Sequence, residues 1–351
     1  TRQPPVSVIV PLKGTAGVAA GLRSLCAQDY SDYELILVTE SSDDPAVAVI
    51  GEVLRGLAKV PCRHVVAGRS AACGQKNHNL LAGIQASDPA RPVLVFCDGG
   101  HVALLDWLGS LMEPITRGDA EVATGYHRIA GRPFNVVSAA LAMVVSVLRT
   151  FQRSAALRQP WGGSTAIHRS LFERLHVAEH WSRHVVDDVS LARLLAREGL
   201  GTAWAETAIL QTDVQRPRLR QFTTWLIRQL FFLRVYYPGT WLAGGVAGWG
   251  LTLALVGLTA CGLAGLIQGS WPWSGALACL LPAFVFCGIA LRLRRDHPNP
   301  GPIHLWLGGA GLAAFAACAC HLRTVRARQL AWRGIRYTVA RDGQVTGIAR
   351  S

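Results

Sequence analysis

Acidic residues are scarce in this chain: 22 aspartates and glutamates stand against 35 lysines and arginines, a formal net charge of +13 over 351 residues. So basic a balance points first to a polyanion such as nucleic acid. The features that would support that partner are missing, because there is no lysine-rich tail, no zinc-finger spacing and no RNA-binding signature. The arginines instead flank apolar segments, which suits a protein lying on an anionic cytoplasmic leaflet. No CxxC pair occurs among the nine cysteines, and the nearest spacing is that of Cys318 and Cys320. They read as reduced, small hydrophobic residues of a cytosolic or membrane protein, which argues against a structural metal site. Repeats and low-complexity tracts are also absent. No signal peptide is expected, since Thr1 stands just before the first strand. The shortage of acids is uneven: residues 241–321 are nearly devoid of them, whereas 1–220 mix charged and apolar segments. The length allows roughly two domains, and this change of composition marks a boundary between them.

What the chain does contain is organised around Pro92–His101, PVLVFCDGGH. Val93 to Phe96 form an uninterrupted apolar run, as in a parallel strand covered on both faces. The run ends in Asp98 and two glycines, and in open α/β sheets ligands bind outside the carboxyl ends of the strands. A turn or helix-cap aspartate would look the same in isolation. Upstream, Val6–Pro11 and Tyr33–Val38 read as strands, with helices over Val18–Leu25 and Ala46–Leu57 and a further strand at Cys62–Val66. Strands alternating with helices at this spacing predict a doubly wound α/β sheet. The first two strand ends carry Pro11, Lys13 and the acids Glu40, Asp43 and Asp44, which can hold a nucleotide's base and ribose by hydrogen bonds or simply be solvated. Gly68–Leu80, GRSAACGQKNHNL, opens a helix, where Lys76, Asn77 and Asn79 can offer a cation and amides to a diphosphate. Farther on come an amphipathic helix over Asp106–Gly118, a strand at Glu121–Gly125, the small-residue turn Trp161–Ala166, and Asp187–Asp188 at a helix start.

These segments resemble a known family. Val6–Pro11 (VSVIVP), Gln28–Tyr30 (QDY) before Tyr33–Val38 (YELILV), and a strand closing on an acid are similar to the amino half of GT-A nucleotide-sugar glycosyltransferases. Ser41–Ala46 (SSDDPA), Gly74–Leu80 (GQKNHNL), Cys97–Gly100 (CDGG) and Trp332–Tyr337 (WRGIRY) resemble ceramide glucosyltransferases and their bacterial hopanoid and lipid glycosyltransferase relatives, of the family 2/21 type. The resemblance implies a GT-A fold with a doubly wound mixed sheet, followed by C-terminal interfacial and transmembrane helices. It also implies a donor site of Pro11, Glu40, Asp43, Lys76, Asn77 and Asp98. Asp98 would hold Mg²⁺ or Mn²⁺ against the diphosphate, although Gly100 replaces the second acid of the usual D-x-D. Asp188 would be the general base, supported by Asp187, since an attacking alcohol must lose its proton. Trp161, Gly162 and Gly163 would border the acceptor. Gln221 and Trp225 match part of a motif assigned to the pyrophosphate, with Thr224 in place of its arginine. His101 reads as a helix-start histidine or a further metal ligand.

The remaining half reads as membrane-associated. Phe134–Phe151 is an almost uncharged run of 18 residues, marginal for a span and suited to an interface or a core helix. Residues 221–240 interleave aromatics with Arg228 and Arg234, as in a helix lying among headgroups. Trp241–Ile267 and Gly275–Leu291 are long enough to span, joined by a turn at Trp271–Trp273, and Arg292, Arg294 and Arg295 point to the cytoplasmic side. A full crossing by Ile303–Cys320 would leave the basic tail outside, against the positive-inside rule, so a re-entrant or interfacial segment is preferred.

The expected organisation is a cytosolic catalytic domain at 1–220, an interfacial region at 221–240, membrane helices at 241–321 and a basic tail at 322–351. The expected activity is inverting transfer of a hexose, glucose from UDP-glucose, onto a membrane lipid hydroxyl. Ceramide is the preferred acceptor, with a hopanoid polyol or diacylglycerol as rivals. A processive polysaccharide synthase and a non-catalytic scaffold on a transferase fold are the alternatives. No nucleic acid partner is expected, and the sequence sets no oligomeric state.

Overall fold

The computed structural model describes residues 3–56, 60–269 and 272–350. Leu57, placed at a helix end above, and Trp271, placed in the inter-helix turn, lie outside these residues. The chain forms two compact units, one from Thr1–Arg128, Leu148–Asp213 and Arg328–Ser351, the other from Ile129–Val147 and Val214–Ala327.

The first unit opens with β1 (Val6–Pro11), α1 (Val18–Cys26), β2 (Tyr33–Thr39), α2 (Pro45–Gly56), β3 (Cys62–Val66), α3 (Gln75–Ala86) and β4 (Val93–Cys97). Then come β5 (His101–Ala103), α4 (Trp107–Thr116), β6 (Val122–Arg132), α5 (Val136–Gln152), most of which belongs to the second unit, β7 (Ser164–His168), α6 (Arg169–Arg174), α7 (Val177–Trp181), α8 (Asp188–Arg197) and β8 (Ala203–Gln215). One sheet of eight strands results, in the order β3-β2-β1-β4-β7-β6-β8-β5. The first four strands pair in parallel, while β7 runs antiparallel to both β4 and β6. The expected mixed sheet is therefore what the chain builds.

Burial on both faces explains the unbroken apolar runs. Successive strand residues point to opposite sides, so Val8, Val10, Leu35, Leu37 and Val95 enter one core with Leu22 and Trp107. Ile9, Ile36, Val38, Leu94 and Phe96 enter the other, with Leu80, Phe172 and Trp181. Strand order reverses at β1: the chain builds outward through β2 and β3, then α3 carries it back to β4 on the other side. Such a switch point opens a crevice at the strands' carboxyl ends, and there the chain places Pro11 and Asp98.

The segment Arg328–Ser351 belongs to the first unit. It forms a separate antiparallel sheet of β9 (Gln329–Trp332), β10 (Ile335–Val339) and β11 (Val345–Arg350), with β10 central.

The second unit holds α9 (Leu219–Tyr236), α10 (Pro238–Gln268), α11 (Trp273–Arg295) and α12 (Ile303–Thr324). Three of these contain stretches long and apolar enough to cross a membrane: Pro238–Gln268, Gly275–Arg295 and Ile303–Thr324. α12 is one continuous helix of 22 residues, without the break that a re-entrant hairpin requires. Its carboxyl end is tied down from α9, where the Arg234 guanidinium donates to the carbonyls of Thr324 and Ala327. A cation at that end also suits the helix dipole.

Close approach of α3 to the sheet depends on Gly83, where an added Cβ would lie 2.5 Å from Ile9 Cγ2 and 3.0 Å from Val38 Cγ2. Gly51, on the exposed face of α2, has nothing within 4 Å. Gly51→Ala is expected to stabilise by about 1 kcal/mol through helix propensity, while Gly83→Ala is expected to lose about 1–3 kcal/mol through overpacking. Thermal melting of the two variants checks the opposite signs.

Candidate active site

Asp98 follows the last residue of β4, and Gly99–Gly100 turn the chain at once into β5. Its carboxylate is about a third exposed, at 36%, and Oδ1 lies 2.9 Å from Lys76 Nζ. Lys76 occupies the second position of α3. The same ammonium lies 2.9 Å from Asp187 Oδ2 and donates to the Gly162 carbonyl at 3.1 Å. All three of its hydrogens thus have acceptors. Asp187 stands at the N-cap position of α8 without a side-chain capping bond and is 2% exposed, whereas Asp188 is half-buried and accepts from the Gly162 N–H through Oδ2 at 3.1 Å. Four segments far apart in sequence, at residues 76, 98, 162 and 187–188, therefore meet at one ammonium.

Charge follows from this geometry. Burial pushes the Asp187 carboxyl up to about 6, with Lys76 pulling it down and Asp188 and Asp98 pushing it further up. Burial also opposes the charge on Asp98, but Lys76 and then His101 outweigh it and hold the carboxyl well below the usual range. For Lys76, burial works against the charge and is overcome by Asp187, Asp98 and Asp188, so its pKa is raised. Both partners of the Lys76–Asp187 pair shift upward because three carboxylates share one cation.

Gly162 and Gly163 make room for protein groups. A Cβ on Gly162 would fall 2.2 Å from Asp187 Oδ2, and one on Gly163 would fall 2.4 Å from the Trp161 ring. Trp161 stacks on His127, with centroids 4.5 Å apart and planes at 11°. Behind the stack, Thr212 Oγ1 joins His127 Nδ1 at 2.6 Å and His101 Nδ1 at 2.8 Å. His101 opens β5 rather than a helix, with Nε2 3.8 Å from Asp98 Oδ2. His127 and Thr212 are additions to the sequence reading, since neither stands in a motif.

On the side of the β1 and β2 ends, Glu40 is paired with Lys13 at 3.2 Å and with Arg350 of β11. Pro11 is the last residue of β1. Asp43 is exposed, while Asp44 accepts from the Gly14 and Ala46 N–H groups at 2.8 and 2.9 Å and so caps α2. Asn77 differs from expectation in one respect. It is fully buried and its amide donates to the carbonyls of Trp181 and His184, so those donors act as a strut and are not presented to a ligand. Gln221 and Trp225 lie in the second unit. Gln221 caps α9 by accepting the Arg218 N–H at 3.1 Å, and Trp225 packs partly buried beside Phe222 and Ala140.

Fold and site together define a GT-A glycosyltransferase. The solved mannosyltransferase PcManGT from Pyrobaculum calidifontis, described in complex with GDP-Man and Mn²⁺, shares the fold at 18% identity and a TM-score of 0.53, over 93% of this chain and 88% of its own. Glucosyl-3-phosphoglycerate synthase from Mycobacterium tuberculosis, in complex with phosphoglyceric acid, matches at 15% identity and a TM-score of 0.42, over 66% of this chain and 79% of that one. The chain belongs to glycosyl transferase family 21, whose family model matches residues 1–345.

Beside the site, the rings of His180 and His184 stack 3.7 Å apart, and the His184 carbonyl accepts from both Gly74 and Asn77. Burial lowers the His180 pKa from its ordinary 6.5 to about 4; His184, Arg197 and Arg193 act in the same direction, and Asp342 opposes them. A histidine depressed in the fold binds its proton more readily when unfolded. Its stabilising contribution is complete above about pH 6.5 and is lost as pH falls toward 4. Melting temperature is expected to fall across that window, and His180→Gln to flatten the fall. An unchanged slope in the variant would count against the assignment.

Proposed function

We propose that this glycosyltransferase is membrane-bound and inverting, and that it moves a hexose, glucose from UDP-glucose, onto a lipid hydroxyl, with ceramide the preferred acceptor. The observation that carries this reading is the Lys76 ammonium, bonded at once to Asp98 and Asp187. It brings the strand-end carboxylate and the helix-start carboxylates to one locus. Exposure separates their roles. Asp187 is sealed against Lys76, whereas half-buried Asp188 can reach a hydroxyl. In the step, the lipid oxygen bonds to the anomeric carbon as the bond from that carbon to the diphosphate breaks, and the hydroxyl proton passes to Asp188.

Pro11, Glu40 and Asp43 would hold the base and ribose, and Lys76 would exchange one of its acceptors for the diphosphate. Trp161 with Gly162 and Gly163 would border the acceptor. The residues fit a divalent ion only in company with the donor. Among the described residues no group of three or more His, Cys, Asp or Glu could hold a metal alone, but Mg²⁺ is commonly held by one or two carboxylates plus substrate phosphates. Asp98 would supply that carboxylate, and Mg²⁺ or Mn²⁺ would neutralise charge on the leaving diphosphate.

Chain connectivity supports the membrane orientation. The segment Val214–Ala327 leaves the first unit at Asp213 and rejoins it at Arg328, which favours an even number of crossings. With three helices long enough to span, we assign crossings to α10 and α11 and an interfacial position to α12. Arg292, Arg294 and Arg295 then face the cytosol with the catalytic unit. Protease sites inserted at Asn299 and Arg341 should be cut from the same side of sealed vesicles, and one at Gly269 from the other. Cleavage at Asn299 and Arg341 from opposite sides would overturn the assignment.

Incubation with a panel of UDP-sugars and membrane lipids, read by mass spectrometry, is expected to yield a monoglycosylated lipid. Asp188→Asn should lower kcat by about 10²–10⁴-fold while UDP still binds. Repeated sugar addition, or undiminished turnover by the variant, would sink the reading.

A further inference from the structure

The small sheet of residues 329–350 touches three segments that lead into the active site. The hydroxyl of Tyr337, 2% exposed, accepts the backbone N–H of Gln75 at 3.1 Å. That N–H is among the four at a helix start that have no partner within the helix, and Lys76 follows directly. The Val345 N–H donates to the Arg183 carbonyl at 2.8 Å, shortly before Asp187. Arg350 is the third link. One end of its guanidinium reaches Glu40 Oε1, and the other donates to Gln75 Oε1 at 2.8 Å and the Ser70 carbonyl at 3.4 Å.

Glu40 is consequently gripped from both sides, by Arg350 on Oε1 and by Lys13 on Oε2, and its side chain is 12% exposed. A carboxylate has about four lone-pair directions, so two cations fix its plane and leave acceptor capacity free. Gln75 is held just as fully. Its Oε1 also accepts the Ser70 N–H at 2.9 Å, and its Nε2 donates to Gly68 and Asn79. Arg350 therefore spans the β2 end and the loop before α3 with one planar fork, an arrangement that a single ammonium cannot reproduce.

We propose that Arg350 is a positioning residue for the nucleotide: it acts through Glu40 and Gln75 to pre-set the donor-binding face, without taking part in the chemical step. This rests on the nucleotide-sugar reading above. Without Arg350, Glu40 and the 68–75 loop must be ordered by the incoming nucleotide, and that ordering is subtracted from binding. The bond-breaking groups keep their own links through Lys76.

The test is calorimetric titration of the intact chain with UDP and with GDP in the presence of Mg²⁺, alongside steady-state kinetics. Arg350→Ala is expected to weaken binding of the preferred nucleotide about tenfold and to raise the donor KM equally, with kcat close to wild type. Arg350→Lys should recover part of the loss. In a Glu40→Gln background, Arg350→Ala should cost far less than in the wild type, because both changes act on one contact. Unchanged nucleotide affinity in both Arg350 variants, losses that simply add in the double variant, or a fall in kcat at constant donor KM would overturn the proposal. A wild type that binds neither UDP nor GDP would overturn the donor reading itself, before any variant is made.

Discussion

An ammonium inside a protein is tolerated only when its hydrogens and its charge are both answered, and Lys76 has arranged the first unit around that requirement. Its acceptors come from the end of β4, from the turn before β7 and from the start of α8. Removing one member of a buried ion pair typically costs about 3–5 kcal/mol, because the other charge is left without compensation. Asp187, with its side chain 3% exposed, is the group that would be left. Gly162 cannot carry a side chain, and the loop around it cannot move far, for the same reason. Geometry that looks catalytic here is first of all electrostatic: three carboxylates come close because one cation permits it.

Much of this could be read from the amino acids in order. The run Val93–Phe96 is apolar at every position because both faces of β4 are covered, and its terminal acid does lie at a switch point. Asp187 and Asp188 were marked by their place at a helix start. Other parts were illegible for physical reasons. Whether Asn77 faces a ligand or a pair of backbone carbonyls depends on how α7 and the loop after it pack over α3, which no local pattern encodes. His127 and Thr212 meet only through strand pairing, and an arginine at position 350 resembles any other arginine in a basic tail. Gln221 matched a motif position, yet its side chain also serves as an ordinary helix cap.

The second unit shows how composition and connectivity constrain each other. Hydrophobic length alone admits three crossings, and the charge rule alone disfavours the third. Connectivity adds a third condition, because the chain returns to the first unit at Arg328, and the proposed pair of crossings meets all three. α12 satisfies its backbone as a continuous helix and is held at its carboxyl end by Arg234, so it stays helical whatever its depth.

The dependence of α3 on Tyr337 has a consequence for biogenesis. During translation β1 to β8 leave the ribosome well before residue 337, and α9 to α12 are made in between. The start of α3, and with it the lysine that gathers the carboxylates, lacks its outer support until the last strands have emerged. A chain that ends before residue 337 therefore leaves the Gln75 N–H without this partner.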